Sequence, residues 1–380
     1  MRAALVCAVL GAATSALAYP QFQLSTGNVR CSQCHFAPAG GGLINGYGRS
    51  EAGDTISAGG DGRFLHGLWE PPSWLGLGAD VRVAGLMVHQ SQDPQPAENH
   101  TKTTDFEVFP MLADLYGRVQ VAGQFSASVT LGFRGKTRPE QSAAARLISR
   151  NHYLMWREGP TGWYVRAGRF YAPYGLRLPE HTAYIERFLG FDVLEESYNV
   201  SGGYVGDEWE LHLTAFTADF IRESVGQGGS GGAAYFEHRP TQALAWGAQA
   251  RVSAGSETTR SQGGLVGKAF LDGPRILLLA EADLVRETFK DAGPGRWQLA
   301  GYLGAAWLPV RGWMVQLMLE RWDEDLARSG VARDAIGAEL QWFPTAHVEL
   351  SLYGRLQVIG TGSSDGSPSQ VVLLQAHYYL

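Results

Sequence analysis

From Trp74 to Leu380 the chain alternates apolar and polar side chains with a period of two, in sixteen successive segments. Period two is the repeat of an extended strand, whose side chains point alternately to opposite faces. The first segment sets Leu75, Leu77, Ala79, Val81 and Val83 against Asp80 and Arg82. Further on, Phe125, Ala127, Val129, Leu131 and Phe133 oppose Gln124, Ser126, Ser128 and Thr130. Near the end, Trp313, Val315, Leu317 and Leu319 oppose Met314, Gln316, Met318 and Glu320, and Val348, Leu350 and Leu352 oppose Glu349, Ser351, Tyr353 and Arg355. One such segment proves little; sixteen in a row restrict the chain to an all-β fold.

The connections have their own rhythm. Short turns at 122–123, 158–162, 206–207, 239–242, 272–274, 309–312 and 344–346 alternate with longer polar stretches at 91–105, 136–145, 173–197, 220–232, 253–262, 290–296, 324–329 and 360–369. Bacterial outer-membrane barrels pair short periplasmic turns with long extracellular loops, with an even number of strands. The alternation does not give its own sign, because a soluble barrel turns its charges outward with the same period. One face carries Trp, Val and Leu; the other carries Arg118, Arg134, Arg166, Glu281, Asp283 and Glu339. The loop rhythm, an export leader and the closing strand Val372, Leu374, Ala376, Tyr378, Leu380 point to the membrane. The expected fold is therefore a 16-stranded antiparallel transmembrane β-barrel over residues 74–380, although the last residue is Leu rather than the usual Phe.

Composition agrees. The chain has 49 glycines, 11% aromatic and 18% charged residues, and no apolar run after residue 18 is long enough for a membrane-spanning helix. Its mean hydropathy is −0.13. A net charge of −6 argues against nucleic acid as a partner.

Residues 1–18 read as a removable signal peptide: basic Arg2, a short apolar run from Ala3 to Ala13, and Ala16-Leu17-Ala18 as a cleavage site. Cys7 would leave with it. The two remaining cysteines lie in Cys31-Ser32-Gln33-Cys34-His35, the spacing at which a c-type haem is attached through two thioethers, with the adjoining histidine as proximal iron ligand. A zinc site would need two more ligands at metal spacing, a thioredoxin-like pair a βαβ context, and a disulfide here closes too short a loop to stabilise a fold. Only about forty residues separate Cys31 from the first strand, too few to wrap a haem in a core of their own. Residues 19–73 are thus expected to plug or cap the barrel, which at sixteen strands is wide enough to admit them.

Residues Ala18 to His35 resemble the N-terminus of the fused monohaem cytochrome c–porins, through Ala18, Pro20, Phe22, Thr26, Gly27 and the haem motif. That family of outer-membrane proteins is known for oxidising ferrous iron at the cell surface. Gln23-Leu24-Ser25 departs from the Ala-Arg-Gln common in its iron-oxidising members, so the resemblance to the wider fusion family is closer than that to the iron oxidases. It implies one haem c, electron entry from extracellular Fe(II) and exit to a soluble periplasmic cytochrome c, with outer-membrane lipid around the barrel. Two other outcomes fit the same residues: export of electrons by the same route, and a diffusion porin whose haem is structural or sensory.

The distal iron ligand is open. His66 is nearest in sequence and is the first candidate; Met155, Met314, Met318, His212 and His377 fall on the charged face of the strands. Two more features stand out. The stretch Gly168–Arg177 leads into a long connection with His181, Tyr184, Glu186 and Arg187, which either folds inward to constrict the lumen or stays on the surface. Asp323-Glu324-Asp325 offers hard oxygen donors suited to a divalent cation, against the plain reading of a solvated loop tip.

Overall fold

A computed structural model describes residues 19–92, 101–133, 147–192, 195–217, 229–290, 293–361 and 367–380. The expected signal peptide, Arg134 and the stretch 136–145 lie outside the described residues. The strands are β1 (Leu75–Gln92), β2 (Thr101–Ala122), β3 (Phe125–Phe133), β4 (Leu147–Arg157), β5 (Gly162–Phe170), β6 (Ser197–Val205), β7 (Trp209–Thr217) and β8 (Ser230–Thr241). They continue as β9 (Leu244–Ala254), β10 (Thr258–Leu271), β11 (Ile276–Phe289), β12 (Arg296–Trp307), β13 (Trp313–Asp323), β14 (Ala332–Thr345), β15 (Val348–Thr361) and β16 (Ser367–Tyr379). Each pairs antiparallel with its sequence neighbours, and β1 pairs with β16 (Val81 opposite Tyr378, Val83 opposite Ala376) to close the barrel.

The sign of the alternation is the membrane one. Val83, Leu131, Leu317 and Leu352 face outward and exposed, while Asp80, Arg82, Ser126, Gln316, Glu320 and Glu349 face a buried lumen. Burying charges on the concave face and exposing Leu and Val on the convex one is stable only where the convex face meets lipid. Of the 11 tryptophans, only Trp297 and Trp322 lie toward the long-loop end. The others cluster at the short-turn end, many as ring pairs: Trp313 stacks on Trp342 at 5.5 Å between centroids, Tyr204 on Trp209 at 4.4 Å, and Trp163 meets Tyr204 edge-on at 5.4 Å. Indole rings of this kind settle at the headgroup level of a bilayer.

One connection departs from the sequence reading. The polar run 253–262 is not a loop: β9 and β10 run to Ala254 and from Thr258, joined by a three-residue turn. Its polar members Ser253, Arg260 and Gln262 are buried, lumen-facing strand residues. Polarity marks a loop only where the strand's inner face is apolar, and here it is not.

Two segments fill the lumen. The first is residues 19–72, with helices α1 (Cys31–Cys34) and α2 (Gly46–Glu51), a π-helical turn at Ala52–Ile56 and 3₁₀ turns at Pro20–Phe22 and Phe64–Gly67. It is tied to the wall at the short-turn end, where Gly312 N donates to Ile56 O (2.9 Å), Ala58 N to Phe343 O (2.8 Å) and Ala346 N to Gly59 O (2.8 Å). The second is the β5–β6 connection, which folds inward rather than lying on the surface. Tyr174, Leu176, Leu178, Tyr184, Ile185, Leu189 and Phe191 are buried and join one apolar cluster with wall residues such as Leu277, Val285, Met318 and Trp322. Its short helix α3 (Tyr184–Arg187) packs on β12 and β13.

Candidate cofactor site

The haem motif forms the single turn α1, closed by a hydrogen bond from His35 N to Cys31 O (3.1 Å). Gln33 caps the turn by accepting from Arg30 N (2.9 Å). Asn45 then fixes α2 against it: its backbone N donates to Cys34 O (2.8 Å), its Nδ2 to Gln33 O (2.8 Å), and its Oδ1 accepts from Gly48 N. Gly48 allows the close approach, since a Cβ there would lie 2.4 Å from Cys34 O. The outcome is that Cys31, Cys34 and His35 all line one cavity of 140 Å³.

Burial dominates the chemistry of these groups. The Cys31 thiol is pushed up, and that of Cys34 to about 12 by burial and then by the nearby Glu51 and Cys31. Burial pushes the His35 imidazole down to about 4 although the Gly42 and Gly41 carbonyls favour its protonated form. Its ring is therefore neutral at pH 7, the state in which imidazole ligates a metal. His35 Nδ1 is buried without a hydrogen-bond partner.

The opposite wall is polar and linked. Tyr19 Oη donates to Glu349 (2.8 Å), His377 Nδ1 lies 2.8 Å from the same carboxylate, its Nε2 lies 2.9 Å from Asp80, and Arg82 pairs with Asp80 at 3.1 Å. Pro20, Phe22, Ile44, Ala52, Ile56 and Phe343 supply apolar surface. The donor set fits a c-type haem: two thiols one turn apart and a neutral histidine on the same cavity. The enclosed volume is that of a small aromatic molecule, so a porphyrin held here requires the surrounding plug to give way. Beside the cavity run Gly40, Gly41 and Gly42, all at positive φ (80°, 79° and 62°), a backbone conformation that glycine adopts without strain.

Among the other sequence candidates, His66 does not reach this cavity. It sits at positive φ (54°) on the exposed short-turn rim, its ring 5.0 Å from that of His347 and its Nδ1 3.3 Å from Asp61 O. Met314 and Met318 are lumen-facing, within the apolar cluster below the inward loop. Met155 lines a separate space of 490 Å³ beside Gln33 and Phe36. His212 is engaged by Tyr164 Oη (2.6 Å) and Glu210. Only His377 shares the cavity, with both ring nitrogens beside carboxylates. The residues that sequence reasoning missed are Tyr19, Gly48, Glu349 and Phe343; only the inward phase of Glu349 was readable. The run Asp323-Glu324-Asp325 makes no cation cage, since Asp323 faces Arg321 (3.5 Å), Glu324 faces Arg333 (3.8 Å), and Asp325 Oδ1 accepts from Ala327 N. Among the described residues no group of three or more His, Cys, Asp or Glu is placed to hold a metal ion.

The inward loop is held in the lumen by wall acids, which bind two of its amides and one of its hydroxyls. Glu281 accepts from Leu176 N (2.7 Å), Glu320 from Tyr184 N (2.6 Å), and Asp283 from Tyr174 Oη (2.6 Å). Wall cations take its carbonyls: Arg260 binds Phe188 O (2.9 Å), Arg251 binds Leu189 O (3.1 Å) and Arg355 binds Thr182 O (3.0 Å). From this loop Arg177 reaches Ala39 O of the N-terminal segment, so the two plugs touch.

No family model matches the chain, and no characterised protein matches it in sequence. Solved structures do match in shape. OmpT of Vibrio cholerae, folded in vitro, superposes with a TM-score of 0.58 at 9% identity, covering 82% of this chain and 99% of that one. An anion-selective porin from Comamonas acidovorans gives 0.57 at 12% identity over 80% and 99%. The outer membrane channel DcaP of Acinetobacter baumannii gives 0.56 at 13% identity over 80% and 97%. The chain has the fold of an outer-membrane porin, with its lumen filled.

Proposed function

We propose that this chain is an outer-membrane electron conduit of the cytochrome c–porin type, carrying one haem c on Cys31, Cys34 and His35. The observation behind this reading is that the two thiols and the histidine face one buried cavity inside a barrel stoppered by two segments. When bound, the haem supplies a one-electron site partway across an apolar band about 25 Å tall, which otherwise insulates. The chain's own part is to hold His35 neutral and buried, to keep bulk solvent out with the inward loop, and to surround the cavity with Asp80, Arg82, Glu349 and His377. The proposed donor is Fe(II) at the outer face and the acceptor a soluble periplasmic cytochrome c.

The test mixes loaded, oxidised protein in detergent with Fe(II) anaerobically and follows the haem α-band. Rapid reduction that is lost in Cys34→Ala supports iron oxidation. Reduction by dithionite but not by Fe(II) removes iron as the donor and leaves electron export. The porin-like fold favours one further reading, a diffusion porin with a structural or sensory haem. Porin-sized conductance of the intact protein in a planar bilayer would establish that reading instead.

A further inference from the structure

A third cavity, of 80 Å³, lies where the two plugs meet, lined on one side by Ala39–Leu43 and on the other by Phe170–Pro173 and Arg177. Its polar lining includes Ser128, Thr130, Asn151, Arg166, Arg177 and Glu186. Two guanidinium groups thus face one small space. Arg166 is only 4% exposed and stacks over Phe170, 3.7 Å from the ring centroid, and over Tyr153 at 5.0 Å. Arg177 touches Ala39 O and lies over Tyr235 at 5.4 Å. The Nε of each is buried without a hydrogen-bond partner. Neither forms an ion pair among the described residues; Glu186 uses Oε1 to accept from Leu178 N (2.7 Å).

Four other lumen arginines differ: Arg82, Arg150, Arg239 and Arg355 each lie within 3.1 Å of a carboxylate. Arg177 is within range of the Glu210 and Glu237 charges but pairs with neither, and Arg166 has no carboxylate acting on it. A buried cation without a paired carboxylate is costly, and two lining one cavity repel each other as well. The guanidinium fork is shaped for planar or tetrahedral oxyanions. We propose that Arg166 and Arg177 form a buried oxyanion site, fitted to a carboxylate or phosphate group. The site has two possible sources of occupant. One is a propionate of the haem assigned to the neighbouring cavity, which shares Gly42 and Tyr116 with this one; that source rests on the proposed function. The other is a free anion from solution, which does not.

The experiment titrates inorganic phosphate, at ionic strength held constant with chloride, into detergent-purified protein and follows the melting temperature. Four forms are compared: loaded wild type, the haem-free double variant Cys31→Ala/Cys34→Ala, and each of these two with Arg166→Gln. A propionate occupant predicts that phosphate raises the melting temperature of the haem-free form but not of the loaded one. It also predicts a lower haem midpoint potential in loaded Arg166→Gln, since loss of a nearby cation disfavours the reduced iron. A saturable rise in both loaded and haem-free protein, absent in Arg166→Gln, identifies a free anion. Arg177→Gln, on the loop rather than the wall, repeats the comparison where Arg166→Gln fails to fold. No phosphate response in any form, with an unshifted potential, overturns the site. Absence of an α-band in the wild type would sink the haem reading separately, while its phosphate titration still tests the arginines.

Discussion

The two plugs fill the same lumen by opposite means. The inward loop carries Leu176, Leu178, Ile185, Leu189 and Phe191 into a continuous apolar cluster, and wall acids satisfy its amides. The N-terminal segment is held chiefly at its margins, through backbone bonds at the turn end, and in its middle it is glycine-rich and walls a cavity. Close packing excludes ligands, whereas incomplete packing around converging polar groups admits them. The loop is built to close, and the N-terminal segment is built to hold something.

The largest expected effect separates these roles chemically. Cys31→Ala/Cys34→Ala should abolish haem that survives denaturing electrophoresis while the loop keeps its protease resistance; loss of loop protection would show that the plugs fold as one. Next is conductance in planar bilayers. Deleting residues 174–190 should leave the lumen closed by the N-terminal segment, and a porin-like current should need the additional removal of residues 19–72. A large current from the loop deletion alone would show that the N-terminal plug does not seal.

Side-chain truncation sharpens the contrast in packing. Leu189→Ala should lower the local stability of the loop by about 2–5 kcal/mol, read by hydrogen exchange of its amides. Leu43→Ala should fall at the low end of that range, because Leu43 packs on Gly76 and Gly78 on one side but borders the cavity between the plugs on another. The loop also has a pH dependence of its own. Burial pushes the Glu186 carboxyl up to about 8 from an ordinary 4.5. The folded loop then binds more protons than the unfolded one between those values, so its stability declines as pH rises through that window. Opening free energies of the loop amides, obtained from exchange after correction for the intrinsic pH dependence of the chemical step, should be higher at pH 5 than at pH 8 in the wild type and converge in Glu186→Gln. The smallest effect is expected at the margin. Arg311 donates to Ser57 O and Gly53 O, both at 2.5 Å, from an exposed position, so Arg311→Ala should loosen the N-terminal plug by about 1 kcal/mol. A change in the loop's exchange on that substitution would argue against independent plugs.

The barrel wall was legible because its signal is local: neighbouring residues carry the period, and β1, β3, β13 and β15 follow it residue by residue. The sign of the pattern needed the chemistry of both faces, and the misread run at 253–262 shows why, since a lumen-facing strand can be as polar as a loop. The spacing from Cys31 to His35 was legible as one at which a haem can be proposed, because that spacing is covalent geometry. What surrounds it was not, because the contacts join distant parts of the chain. Gln21 donates to Gln316 at 2.9 Å across 295 residues, and Lys268 reaches Gln23 at 2.8 Å. His66 shows the same limit from the other side: nearest in sequence to the haem motif, it is turned to the rim by two consecutive residues at positive φ, Leu65 and His66.

The barrel seam has a consequence for the order of events in assembly. Leu380 N donates to Ala79 O (2.9 Å), and a Cβ on Gly78 would lie 2.5 Å from Leu380 O and 2.6 Å from Leu43 Cδ1. The first strand, the last strand and the N-terminal plug thus converge on one line. The plug is synthesised first, but the wall around it is completed only when β16 meets β1. Closure of that seam is therefore the step that joins all three, and the place of the N-terminal segment between the first and last strands is set only then.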